Sequence, residues 1–399
     1  MAEHKERLHA KLSASASKRW LSCPGSVALS EGFPDSSSVY ADEGTLAHEL
    51  AEELITKQGR SGIGIKRKIR AFYEEHADLG GTFEEMEGYI VPYFEWVVEE
   101  LNALRRVDAG AILRTEERLD LTEWIPEGFG TSDVVLLGGN TLEIIDLKYG
   151  KGVPVEAEGN TQMRIYALGA YALMSMLADI DTVRMVIYQP RLDDISVAEM
   201  PAEDLLKWGE DVLKPGAQLA LTKDAPRAAG DHCRFCPAKV RCRTRYEANM
   251  AIAQKRKEGL ISQEEVAEVL SVADEVAKWL EEVKAQALTD MLNGEKIPGF
   301  KVVEGRSNRK FNAPEETIVG MAEAAGFDEA LLYERKLLSL TAIEKLMGKR
   351  RFAEELGSIV EKPEGKPTIA PESDKRPALS KKKAVEDFDG EFGGETADE

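Results

Sequence analysis

The stretch Thr141–Gly150, TLEIIDLKYG, decides how this 399-residue chain is read. Side chains alternate between the two faces of a strand, so Leu142, Ile144, Asp146 and Lys148 share one side. An apolar strand thus ends in an acid and a lysine. Residues 131–138 also read as a strand, and the intervening Gly138-Gly139-Asn140 is a hairpin signal. In such an antiparallel ribbon Asp133 comes close to Asp146. Two carboxylates at one strand end make a hard oxygen site suited to Mg²⁺ or Mn²⁺. Beside them, Lys148 can orient a water or neutralise charge growing on a phosphate. An ordinary Asp–Lys ion pair at a strand edge is the plainer reading of the same residues. Glu143 points to the opposite face, while Glu116 and Glu117 stand as outer residues of the site.

Working outward, residues 111–119 give a further strand, and Thr182–Gln189 gives a fourth that stops at Pro190. Helical spacing marks 42–57 (Leu46, Leu50, Leu54, Ile55) and about 84–105, with an Ala/Leu/Met/Tyr-rich helix at 160–178. Helix, three strands, helix and a further strand make an α/β unit. A helix at 203–222, a long amphipathic helix at 263–292, a short strand at Phe300–Val303 and helices near 314–325 and 341–356 follow. The expected organisation is a domain over 1–258, a mainly helical module over 259–360 and a tail over 361–399. The tail is Pro/Lys-rich and ends with seven acids in its last fourteen residues, a composition that predicts disorder.

Lys and Arg number 52 against 72 Asp and Glu, a net charge of −20. That balance argues against wholesale coating of nucleic acid but not against a local basic groove. Lys57–Arg70 supplies six basic residues and no acid, a run that suits a phosphate backbone or simply a solvated face. No apolar run reaches the roughly 20 residues of a membrane span. The charged N-terminus lacks a secretory apolar stretch, so a cytoplasmic location is expected and no membrane partner.

The four cysteines are Cys23 and a C-x₂-C-x₅-C trio, Cys233, Cys236 and Cys242. Too few for a disulfide scaffold, they suggest an Fe–S cluster or zinc. Spacing alone leaves both metals open, and His232 would even permit a Cys₃His zinc site.

Several motifs, taken in order, resemble the RecB-type branch of the PD-(D/E)xK nuclease superfamily over roughly residues 18–245. They are Gly44-Thr45-Leu46-Ala47-His48, Gly130-Thr131-Ser132-Asp133, Asp146-Leu147-Lys148 and Gln162-Met163-Arg164-Ile165-Tyr166. The resemblance implies that His48, Asp133 and Asp146 ligate a divalent metal, and that Gln162 and Tyr166 contact DNA and orient Lys148. It also implies a [4Fe–4S] cluster on Cys23, Cys233, Cys236 and Cys242, stapling the ends of the nuclease domain, with zinc the alternative. RWLSCPGSVAL, IDLKYGKGVPV, the YQPR of 188–191 and GFKVVEGRSNRKF of 299–311 resemble an uncharacterised phage and prophage family of that superfamily. The expectation is an Mg/Mn-dependent deoxyribonuclease, as an exonuclease, acting in phage recombination in a bacterial host. DNA is its partner, beside a single-strand-binding or recombination protein that Phe388 and Phe392 of the tail would recruit. A non-catalytic DNA-binding scaffold retaining the fold and cluster is the alternative. A zinc-stapled RNA-processing factor lacks any RNA-module signature. No G-x-x-x-x-G-K-[ST] is present, so unwinding needs a partner.

Overall fold

A buried tryptophan organises the N-terminal segment. Trp20, on α1 (Ser17–Ser22), is wholly enclosed and donates its indole N–H to the Ser13 carbonyl at 3.0 Å. A second short helix, α2 (Ser26–Ser30), follows Cys23. The coordinates form a computed structural model that describes residues 10–33, 38–254, 261–304, 311–333 and 337–361. Beyond Glu361, the expected disordered tail with Phe388 and Phe392 lies outside the described residues.

Next comes α3 (Val39–Thr56), capped by the Ser38 hydroxyl accepting from the Ala41 N–H. Its Leu46, Ala47, Leu50, Ala51 and Leu54 are buried at helical spacing. The basic run continues into a helix, α4 (Ile63–Glu75), and α5 (Phe83–Val107) starts on a Thr82 cap. Met86, Ile90, Tyr93, Val97 and Leu101 form the buried face of α5.

The sheet has five strands in sequence order: β1 (Ile112–Asp120), β2 (Phe129–Gly138), β3 (Thr141–Leu147), β4 (Thr182–Gln189) and β5 (Asp194–Pro201). The first three are antiparallel, β4 runs parallel to β3, and β5 returns antiparallel to β4. Gly139 (φ 55°) and Asn140 (φ 62°) are both left-handed, as a two-residue hairpin turn requires. A parallel pair needs a crossover, and α6 (Thr161–Met174) provides it, capped by the Asn160 carbonyl oxygen accepting from the Gln162 and Met163 N–H groups. One sheet face, with Val135, Leu137, Leu142, Ile144, Val183 and Met185, packs with α6. The other, with Val134, Leu136, Ile145, Leu147 and Val186, packs with α3 and α5. Each such side chain, fully buried, contributes roughly 1.5–3 kcal/mol. The fold is mixed α/β, a sheet between two helical layers.

Beyond the sheet lie α7 (Ala202–Trp208), a π turn (Gly209–Leu213) and α8 (Lys214–Ala220), then α9 (Arg243–Gln254) and α10 (Gln263–Leu292). Buried Arg245 on α9 holds α10 through Glu275 and, at 2.7 Å, Glu282. Contacts divide the chain into two compact units, Met1–Gln286 and Ala287–Glu399. Within the second unit the described regular elements are helical: α11 (Glu315–Ala324), α12 (Leu340–Met347) and α13 (Lys349–Glu355).

Four expectations about elements are corrected. The edge strand β5 is additional, because its sequence, DISVAEMP, is half polar and Pro190 reads as a terminator; Asp193 (φ 53°) instead turns the chain back. Phe300–Val303 is not a strand, since no neighbouring strand pairs with it. The single helix of 203–222 is interrupted by the π turn. That of 341–356 is broken at Gly348, whose φ of 80° leaves the helical region.

The N-terminus is fixed to a distant segment. Gly25 N–H donates to the Pro226 carbonyl at 2.8 Å, and a Cβ at Gly25 would stand 2.5 Å from the Ala225 oxygen. Gly25→Ala therefore forces the two segments apart and should destabilise the first unit by about 1–3 kcal/mol. Thermal denaturation checks this; an unchanged midpoint would show that the contact is not formed.

Candidate metal centre and cysteine cluster

Strand register brings three carboxylates into one row. Val134 pairs with Ile145, and Thr115 and Glu117 pair with Val134 and Ser132. Asp133 therefore faces Asp146 on β3 and Glu116 on β1, and directly opposed residues share a sheet face. Glu116 adopts a left-handed backbone (φ 47°), which costs a non-glycine residue on the order of 1–3 kcal/mol and is characteristic of functional sites.

Two helices reach this row. From α3, His48 Nδ1 lies 3.3 Å from Asp133 Oδ1. The other Asp133 oxygen accepts the Leu147 N–H at 2.8 Å, fixing the carboxylate against the end of β3. From α6, the Gln162 amide N–H₂ donates to Asp146 Oδ1 at 3.0 Å, while its oxygen accepts from Lys148 Nζ at 3.3 Å. Lys148 Nζ is 2.8 Å from Asp146 Oδ2, an ion-pair contact off hydrogen-bond geometry. That buried oxygen has no hydrogen-bond donor. A buried carboxylate oxygen in this condition suits a cation.

His48, Glu116 and Asp133 each present a ligand atom within 4.8 Å of the others, the one such set of three among the described residues. Asp146 stands beside that set, tied to it through the sheet register. The set holds His48 and Asp133 of the expected trio, with Glu116, on a left-handed backbone, in place of Asp146, whose carboxylate lies outside it. The Tyr166 ring packs against Gly130, where a Cβ would approach it to 2.9 Å, so the glycine of GTSD makes room for the tyrosine. A cavity of about 320 Å³ opens here, lined by Thr45, His48, Glu116, Asp133 and Tyr166 among others.

The electrostatics follow from burial and pairing. Burial alone would lower the His48 pKa, but Asp133 and then Asp146 outweigh it and push it up to about 9. Burial works to raise Asp133; His48, the Leu147 N–H and Lys148 nevertheless hold it below the ordinary carboxylate range. Asp146 sits above that range through burial, with Lys148 opposing and Asp133 adding. Burial would lower Lys148, yet Asp146 keeps it raised and charged. Glu116 is pushed up to about 7 by burial and by Asp133. Tyr166 rises to about 12, through burial first and then Asp146. Beneath the row, the buried Tyr93 hydroxyl has no hydrogen-bond partner, and burial together with the carboxylates holds it protonated. Tyr93 read in the sequence only as an apolar position of a helix; nothing there marks it as part of the site.

Other polar residues turn out to be structural. Glu143 is buried on the far face and pairs with Arg184. In YQPR, Arg191 pairs with Glu43 at 2.8 Å over the Tyr149 ring, and Gln189 fastens Val155. Arg164 lies over Trp208 rather than toward the row. Of the six basic residues in 57–70, Lys57, Lys66, Lys68 and Arg70 are paired with local glutamates, so the run is largely a neutralised face.

Cys23, Cys233 and Cys236 are buried, Cys242 is half-buried, and all four are free thiols. Cys23 Sγ accepts the Ala228 N–H at 3.4 Å, so the N-terminal cysteine is held against the segment that leads into the trio. Burial raises the Cys233 thiol, and Cys236 and Cys23 add to this. The donor set, four soft sulfurs, fits iron–sulfur or zinc. His232 has a ring nitrogen 3.0 Å from the Ala228 carbonyl, a local role.

The chain belongs to the family described as Protein of unknown function (DUF2800), whose model matches residues 9–377. Among solved structures it is similar to the one titled "Crystal structure of SSO0001", with 15% identity, a TM-score of 0.20, and coverage of 51% of this chain and 97% of that one. An overlay at that score defines no common fold.

A metal ion that binds His48 must displace its proton. With the pKa near 9, His48 is protonated at neutral pH, so divalent-cation affinity should rise with pH, approaching tenfold per unit, and level off above about 9. Calorimetric titration with Mn²⁺ across pH 6–10 measures this. Affinity independent of pH would remove His48 from the ligand set.

Proposed function

We propose that this DUF2800 member is a metal-dependent DNA nuclease of the RecB-type PD-(D/E)xK kind. One observation carries the reading: Glu116, Asp133 and Asp146 come together from three adjacent strands, with His48 and Glu116 around Asp133 and the Lys148–Gln162 pair at Asp146. A scaffold protein has no need to gather three carboxylates, one of them fully buried, since their mutual repulsion opposes folding. That weighs against the non-catalytic reading.

A divalent cation, Mg²⁺ or Mn²⁺, held by His48, Glu116 and Asp133 beside Asp146 would supply Lewis acidity to a scissile phosphate. The remaining chemistry belongs to the chain. Lys148, kept charged by Asp146, is placed to orient a water for attack on phosphorus and to offset charge growing on the phosphate oxygens. Gln162 holds Asp146 and Lys148 in one plane of hydrogen bonds, so neither swings away. Tyr166 lines the cavity as a neutral phenol, a donor toward the DNA backbone.

The same reading gives the cysteines a [4Fe–4S] cluster, with zinc as the alternative, as a staple between Cys23 and residues 233–242. It places the protein in phage DNA recombination in a bacterial cytoplasm, as an exonuclease beside a single-strand-binding or recombination protein.

End-labelled duplex and single-stranded DNA with Mg²⁺ or Mn²⁺ test it. Wild-type protein should cut, and Asp146→Asn and Lys148→Ala should each lose about 10²–10³-fold in rate, roughly 3–4 kcal/mol of barrier, while remaining folded. No cleavage by the wild type with either metal, or cleavage by the variants at the wild-type rate, would sink the proposal. Anaerobic purification tests the cluster: about four irons per chain are expected, and stoichiometric zinc without iron would replace it.

A further inference from the structure

A larger cavity, about 990 Å³, adjoins the carboxylate site and shares Ala10, Ser13 and Ser15 with it. Its wall joins α1, the cysteine loop, α10 and Val153 of the loop that follows Lys148. Cys233 and Cys236 are buried, but the two residues between them turn outward: Phe235 is 69% exposed, and Arg234 lies 5.5 Å from its ring. Lys18 and Lys278 also line the cavity, and neither has an ion-pair partner among the described residues. A large aromatic ring left open to solvent on a three-cysteine loop, with cations around it, has no packing role.

We infer that this cavity is a track for single-stranded DNA, with a base stacked on Phe235 and phosphates on Lys18, Arg234 and Lys278, leading the strand to the carboxylates. The inference rests on the nuclease reading for its direction. The charge distribution selects a single strand over a duplex. Asp231 and Asp274 share the wall, so it is not a continuous cationic trench. Duplex affinity comes largely from phosphate neutralisation and needs such a trench. Ring stacking requires an unpaired base, tolerates nearby acids and is sequence-independent. The chain's net charge of −20 adds to the case, because it weakens long-range attraction of DNA and gives contact interactions more weight.

The experiment is fluorescence anisotropy of the full chain with labelled oligothymidylate and with a labelled blunt duplex, in EDTA, so that no cleavage occurs. Phe235→Ala should weaken oligothymidylate binding about tenfold, Phe235→Tyr should restore it, and duplex binding should change less than about twofold. Wild-type affinity in Phe235→Ala, or equal losses for both DNAs, overturns the track. Should Phe235→Ala fold poorly, Lys18→Ala/Lys278→Ala serves: the slope of log K against log salt for oligothymidylate should fall by about 0.7 per lysine. An unchanged slope overturns it. Protein that grips oligothymidylate through Phe235 but cuts nothing keeps the track and loses the nuclease. Protein that cuts but binds independently of Phe235 does the reverse.

Discussion

Strand register is the constraint on which the site depends. Side chains on a strand repeat every two residues, so a slip of one residue between β2 and β3 would turn Asp133 to the other face and bury it among Leu46, Leu50 and Tyr93. Register is fixed by the two-residue turn at Gly139-Asn140 and by apolar residues that fill both sheet faces. Hydrophobic burial thus sets the positions of the charged atoms. The carboxylates do not find one another; the packed strands hold them together against their repulsion.

That repulsion is answered locally, one partner at a time. His48 neutralises Asp133, Lys148 neutralises Asp146, and Glu116 meets its surroundings as a carboxyl group with a raised pKa. The arrangement leaves the buried Tyr93 hydroxyl without a hydrogen-bond partner. Buried polar atoms in that state cost stability, about 1–3 kcal/mol each. A cation at the row would change the sign of the local field.

The central sheet was legible in the sequence because its signals are local and periodic. TLEIIDLK alternates, GGN punctuates, and TVRMVIYQ stops at a proline. Asp133, Asp146 and Lys148 could be placed together from those signals, and Gln162 only through the motif resemblance. Glu116 could be seen only as a neighbour, since its role follows from a left-handed backbone that no residue type announces. β5 was hidden because an edge strand needs just one buried face and so carries half the apolar signal. The basic run of 57–70 suited a phosphate backbone or a solvated face in the sequence; its partners, Glu49, Glu84 and Glu87, lie on other turns and helices and pair with it only after folding. Arg164 lies over Trp208, which only the tertiary structure brings near.

The junction of Cys23 with Ala228 spans 205 residues of chain, and synthesis is sequential. At about 5–20 residues per second, the N-terminal segment leaves the ribosome on the order of 10–40 s before its docking partner exists. Through that interval Cys23 lacks its partner segment, while the sheet and α6 that enclose Trp20 can already form. Closure of the first unit is therefore a late, non-local event. A nascent chain of this protein carries an undocked thiol after most of its sheet is paired.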